Sequence, residues 1–72
     1  KIVYSDNPNN PDIANTLNNI GSVYYKKGDY DKAFEYSEKS YEMYKKVYVD
    51  NPNHALVQIT QNKVQIVKSK LA

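Results

Sequence analysis

Apolar residues recur at helical intervals along most of the chain. From Ile13 the spacing runs to Leu17, Ile20 and Tyr24, in steps of four, three and four, which is one stripe of a helix. A second segment from Tyr30 to about Tyr48 places Ala33, Ser37, Tyr41 or Ser40, Tyr44, and Val47 or Tyr48 on one face. A third places Val57, Thr60, Val64, Val67 and Leu71 in steps of three, four, three and four, a coiled-coil-like seam. "VQIVKSK" also has the Val and Ile content of a strand, but the helical context outweighs it. The periodicity therefore predicts an all-α chain.

Turn chemistry separates these segments. Asn10-Pro11-Asp12 offers an N-cap, a proline suited to the first helical position, and an acid that opposes the positive helix start. Lys26-Lys27-Gly28 offers cations for the helix end and a residue free to adopt the left-handed conformation. Asp29 can cap the second helix, and so short a link requires an antiparallel hairpin. Glu35 with Lys39 and Glu42 with Lys46 are expected i,i+4 pairs on its exposed side. Asn51-Pro52-Asn53 repeats the Asn-Pro opening before the third helix.

An internal repeat sets the organisation. "KIVYSDNPN" at Lys1–Asn9 and "KKVYVDNPN" at Lys45–Asn53 agree at seven of nine positions, at an offset of 44. Residues 1–9 then read as the tail of a preceding repeat's second helix. Residues 10–52 form one complete hairpin, with helices at about 11–27 and 30–48. Residues 53–72 form the first helix of a following repeat or a capping helix. Beyond Asn53 two registers remain open: an offset of 41 aligns Asn51-Pro52 with Asn10-Pro11, and 44 aligns Val64 with Ile20.

The stretch Asn10 to Pro52 resembles a tetratricopeptide repeat of the longer kind found in kinesin light chain. Leu17, Gly21, Tyr24, Gly28, Tyr30 and Ala33 fall where that family's pattern expects them, and Leu17-Asn18-Asn19-Ile20-Gly21 is particular to the longer variant. Ser37 and Ser40 depart from the pattern, which usually has an aromatic and an alanine there. Val64-Gln65 also departs, standing where another Ile/Leu-Gly is expected. The resemblance implies a slice of a right-handed α-solenoid. An interior glycine costs a helix roughly 1 kcal/mol against alanine, so Gly21 needs a reason. On the stripe of Leu17, Ile20 and Tyr24 it would let the first helix approach Ala33 of the second. Tyr24, Tyr41 and Tyr44 are expected to line packing seams, with their hydroxyls reaching polar surroundings.

The resemblance also implies a function. In the family the first helix lines a concave groove, and asparagines there contact the main chain of a bound peptide. The implied contacts are Asn15, Asn18, Asn19, Ser22, Tyr25 and Lys26. An Asn side chain carries donors and acceptors, so it can match a peptide unit of any sequence. The clamp that some members use for a C-terminal carboxylate needs several cations on this face. Only Lys26 and Lys63 are available, so that mode is not expected. The function implied is a protein–protein interaction scaffold, part of a longer array, that takes an extended or helical peptide. The alternative is a structural module whose exposed helix faces stack or exchange between chains, giving a homo-oligomer of the fragment.

Composition narrows the other classes. The 72 residues contain no cysteine and a single histidine, His54, so thiol and Ser-His-Asp chemistry lack their parts and no enzyme is expected. His54 reads as a turn or cap residue. The oxygen-rich Asp6–Asp12 run lacks the central glycine and distal glutamate of a calcium loop, and the two glycines form no phosphate loop, so no metal or cofactor is expected. The net charge is +2, all basic residues are lysine, and acids interleave with them, which argues against nucleic acid as a partner. No apolar run reaches the roughly 18 residues of a membrane span. With no Asn-x-Ser/Thr acceptor either, a cytoplasmic location is the default expectation.

Overall fold

The computed structural model describes residues 10–71, so the reading of residues 1–9 as a preceding helix tail lies outside the described residues. Three helices follow one another: α1 (Pro11–Lys27), α2 (Tyr30–Val47) and α3 (Ala55–Leu71), with no strand among the described residues. The chain is all-α, as the periodicity predicts.

Local chemistry sets the hairpin. The Asn10 side chain accepts from the Asp12 N–H at 2.7 Å, and Pro11 opens α1. Gly28 closes it at φ 83°, ψ 6°. There the Asp29 N–H donates to the Tyr24 carbonyl at 2.9 Å and the Gly28 N–H to the Tyr25 carbonyl at 3.0 Å. This pair of bonds is the Schellman closure that a left-handed glycine permits. The Asp29 carboxylate then accepts from the Lys32 N–H and starts α2 two residues after α1 has stopped.

α2 is the central element, packing on α1 along one flank and on α3 along another. Its junction with α1 is made of small residues. Ala14 and Ala33 are fully buried, Gly21 lies over Ser37 and the Ala33 carbonyl, and the Ser40 hydroxyl donates to the Ala14 carbonyl at 2.7 Å. Ser37 and Ser40, the two departures from the family pattern, therefore both sit in this seam. The smallness of Ser37 admits the α1 backbone, and Ser40 ties the helices together. Larger rings close the flanks, with Tyr24 stacked on Tyr36 at 5.7 Å and Tyr44 on Tyr48 at 6.1 Å. Tyr44 is buried, which pushes its phenol pKa up, and the nearby Tyr48 and Asp12 add to the shift. Against α3, α2 buries Val57, Thr60, Val64 and Val67, four of the five positions of the predicted seam; Leu71 is 42 % exposed.

Several expectations are corrected. Ile13 is 39 % exposed, while Leu17, Ile20 and Tyr24 are half-buried. The deepest line on α1 is instead Ala14 and Gly21, because close approach to α2 selects the smallest residues. Of the alternatives Tyr41 and Ser40, Ser40 is the buried one on α2, and Tyr41 packs half-buried against the core. Glu42 lies 3.9 Å from Lys45 rather than pairing with Lys46, whereas Glu35–Lys39 forms as expected at 3.2 Å. α3 begins at Ala55, two residues into the 53–72 segment: Asn51-Pro52-Asn53 is spent on a turn in which the Asn51 N–H bonds the Tyr48 carbonyl and the His54 N–H bonds that of Asn51. With α1 starting at Pro11, the offset between the two helices is 44.

Candidate functional site

α1 and α3 run in the same direction on α2, because each is joined to it by a reversing turn. Between them lies a groove of about 320 Å³. α1 supplies Gly21, Ser22, Tyr25 and Lys26, Ser37 of α2 forms the floor, and α3 supplies Lys63, Ile66 and Val67. At Gly21 and Ser37 little side-chain bulk fills it.

One cation crosses it. Lys63 Nζ donates to Asn18 Oδ1 and to Ser22 Oγ, both at 3.1 Å, and the Ser22 hydroxyl in turn bonds the Asn18 carbonyl. Both acceptors of the ammonium are neutral. Among the described residues the only ion pairs are Glu35–Lys39 and Glu42–Lys45, both on α2, so Lys63 has no carboxylate partner there.

Of the six residues that the resemblance implies as contacts, Ser22, Tyr25 and Lys26 line the groove, and Asn18 stands at its edge in the grip of Lys63. Tyr25 is braced by a tilted contact with Tyr30 at 5.3 Å. Asn15, one turn before Asn18 on the same face, is exposed, and Asn19 is exposed on the flank. Among the packing positions, Gly21 and Ala33 are buried, and Leu17, Ile20, Tyr24 and Tyr30 are half-buried. Gly28 is exposed in its left-handed turn.

Residues of α3 complete the site; of these the sequence pointed to Lys63 alone, and Ile66 and Val67 were not expected there. Ile66 is 53 % exposed and Ile59, two turns earlier on the same side, is 48 % exposed. Their signal was the 44-residue register, which sets Ile59, Lys63, Ile66 and Lys70 against Asn15, Asn19, Ser22 and Lys26 of α1.

A second depression, of about 500 Å³, lies away from α3, with Leu17 and Met43 among acids and lysines of α2. Its rim holds Glu38, Glu42, Lys39 and Lys46, so its charge is balanced. His54 serves structure: its Nδ1 accepts from the Leu56 N–H at 3.1 Å and its ring stacks on Tyr48 at 3.8 Å. Among the described residues no three His, Asp or Glu side chains gather as a metal would require, and no helix is long and apolar enough to cross a membrane.

A family model described as tetratricopeptide repeat matches residues 5–60. No curated protein and no solved structure matches the chain. Members of the matched family are in general protein–protein interaction modules rather than catalysts. The matched span covers the hairpin, its Gly28 closure and the start of α3, and on that footing this chain belongs to the tetratricopeptide repeat family.

Proposed function

We propose that this chain takes a peptide segment of a partner protein in the groove between α1 and α3, as part of a longer helical array. The observation that carries the reading is the groove itself: three of the six implied contacts line it and a fourth borders it. Its wall mixes hydrogen-bonding side chains with an aromatic ring and apolar groups, the mixture expected of a surface that receives peptide. A groove this short contacts a few residues, so useful affinity comes from neighbouring repeats extending it.

The test is a partner capture with the full-length parent protein, followed by titration of the captured segment. Tyr25→Ala with Asn18→Ala is expected to weaken binding by about tenfold or more, the loss of one aromatic and one polar contact, with the helical circular dichroism unchanged. Undiminished binding would move the site elsewhere.

A second reading, association with another copy, is favoured by the apolar side chains of α1 that face away from α2, Ile13 and Val23, at 39 % and 51 % exposure. Sedimentation at high micromolar concentration decides it, and a monomer would reject it.

A further inference from the structure

The floor of the groove holds a hydroxyl with nothing to bond. Ser37 is only 4 % exposed, yet its Oγ makes no hydrogen bond among the described residues. The Ser40 hydroxyl, a turn further along α2, is by contrast spent on the Ala14 carbonyl. A buried hydroxyl left without a partner carries a desolvation cost that a bound acceptor removes.

Two cations stand beside it. Lys63 Nζ spends two of its three N–H donors on Asn18 Oδ1 and Ser22 Oγ and keeps the third. Lys26 is exposed and makes no ion pair among the described residues. No carboxylate lines the groove among those residues, so the two ammonium groups share it without a counter-charge. Donors therefore reach the groove from all three helices: Lys26 from α1, Ser37 from α2 and Lys63 from α3.

Donors arriving from three directions suit a tetrahedral phosphate, whose three terminal oxygens diverge, better than a planar carboxylate. A phosphate monoester also carries about −1.5 to −2 charges near neutral pH, which two ammonium groups balance. Lysine serves such a group as a point charge, through bonds stronger than the neutral ones Lys63 now makes. The groove, at about 320 Å³, has room for more than a bare phosphate and lies within the roughly 300–1,000 Å³ of small-ligand sites. Its remaining wall is the Tyr25 ring with Ile66 and Val67, an apolar surface. We propose that this groove is also a site for a small free phosphate monoester with an apolar or aromatic body. The phosphate lies on Lys26, Ser37 and Lys63, and the body lies against Tyr25, Ile66 and Val67. Binding of the ester needs no peptide and is independent of the peptide-site reading. Where a peptide binds as well, the two compete.

The test titrates phenyl phosphate into the isotope-labelled full chain and follows its amide resonances. Expected are saturable shifts at Ser22, Lys26, Ser37 and Lys63, weaker binding of inorganic phosphate at the same amides, and none of phenol. Affinity for phenyl phosphate should fall about tenfold or more on Lys63→Gln and about fivefold or more on Ser37→Ala. The off-groove control Lys68→Gln should leave it unchanged. Ser37→Ala removes only a hydroxyl, so it keeps the test decisive should Lys63→Gln lose helical circular dichroism. Phenyl phosphate that shifts no groove amide, or binds Ser37→Ala undiminished, overturns the site. An equal loss on Lys68→Gln overturns it in favour of diffuse charge attraction. A phosphotyrosine peptide that binds far more tightly than phenyl phosphate overturns the free ester in favour of a modified partner segment. Because the titration contains no peptide, its failure and a failure of peptide capture are read separately.

Discussion

A methyl group added to Gly21 would meet Ser37 Oγ at 3.0 Å, the Ala33 carbonyl oxygen at 3.3 Å and the Ser37 nitrogen at 3.3 Å. The hydroxyl can rotate away, but the two backbone atoms cannot. Alanine would gain about 1 kcal/mol of helix propensity and lose about 1–3 kcal/mol to overpacking, so Gly21→Ala is expected to lower the melting temperature. Gly28 is the opposite case, with nothing within 4 Å and a φ of +83°. Gly28→Ala is expected to cost about 1 kcal/mol through backbone strain, and Gly28→Asn less. Ser37→Ala should relieve Gly21→Ala in part and leave Gly28→Ala unchanged, which a thermal double-mutant cycle measures. Tyr44 sets a pH limit. Burial first, then Tyr48 and Asp12, raise its phenol above the ordinary value of about 10. As pH rises, the unfolded chain gives up this proton before the folded one does. The contribution is therefore full below about pH 10 and is lost as pH climbs through the raised value. Tyr44→Phe is expected to flatten the alkaline fall in melting temperature; an identical fall in both proteins would refute the assignment.

At the scale of elements, α3 shows what could be read in advance and what could not. Its seam was legible because burial against α2 imposes a strict three–four spacing on Val57, Thr60, Val64 and Val67. Its start was not. Asn51-Pro52 imitates the opening of α1, yet hydrogen bonds from Asn51 and His54 fold those residues into a turn and pass the capping role to His54. That three-residue difference decides which side chains face α1, so the α3 wall of the groove, Lys63 apart, stayed hidden while the α1 wall followed from the family pattern. The thin α1–α2 seam was half legible: Gly21 and Ala33 announced a close approach, but Ser37 and Ser40 read as departures until their contacts were seen. The cap itself can be tested. His54→Ala removes the acceptor for the Leu56 N–H and the stack on Tyr48, and is expected to cost about 1 kcal/mol. His54→Ser keeps a capping oxygen and should recover part of that loss. Amide exchange at Leu56 reports the difference; equal protection in both variants would deny the cap its role.

For the whole molecule, the 44-residue register explains why α1 carries an exposed apolar side. Ile13, Thr16, Ile20 and Val23 are the counterparts of Val57, Thr60, Val64 and Val67, the residues that α3 buries against α2. We propose that this side of α1 accepts an α2-like helix from an earlier repeat; among the described residues Ile13 and Val23 on it are exposed and Ile20 is half-buried. α3 keeps that surface and loses the other. Where α1 meets its own α2 through Ala14, Leu17, Gly21 and Tyr24, α3 has Gln58, Gln61, Gln65 and Lys68, all of them polar and exposed. Placing a second copy of residues 10–53 ahead of residues 10–72 should then cover Ile13, Ile20 and Val23 of the downstream copy with the α2 of the upstream one. Full burial of such side chains is worth about 1.5–3 kcal/mol each. Since Ile13 and Val23 are already about half covered, a gain on the order of 2 kcal/mol over the single chain is expected in urea unfolding. Ile13→Lys with Val23→Lys in the downstream copy should abolish the gain. A tandem no more stable than the single chain would mean that this side of α1 is not a stacking face.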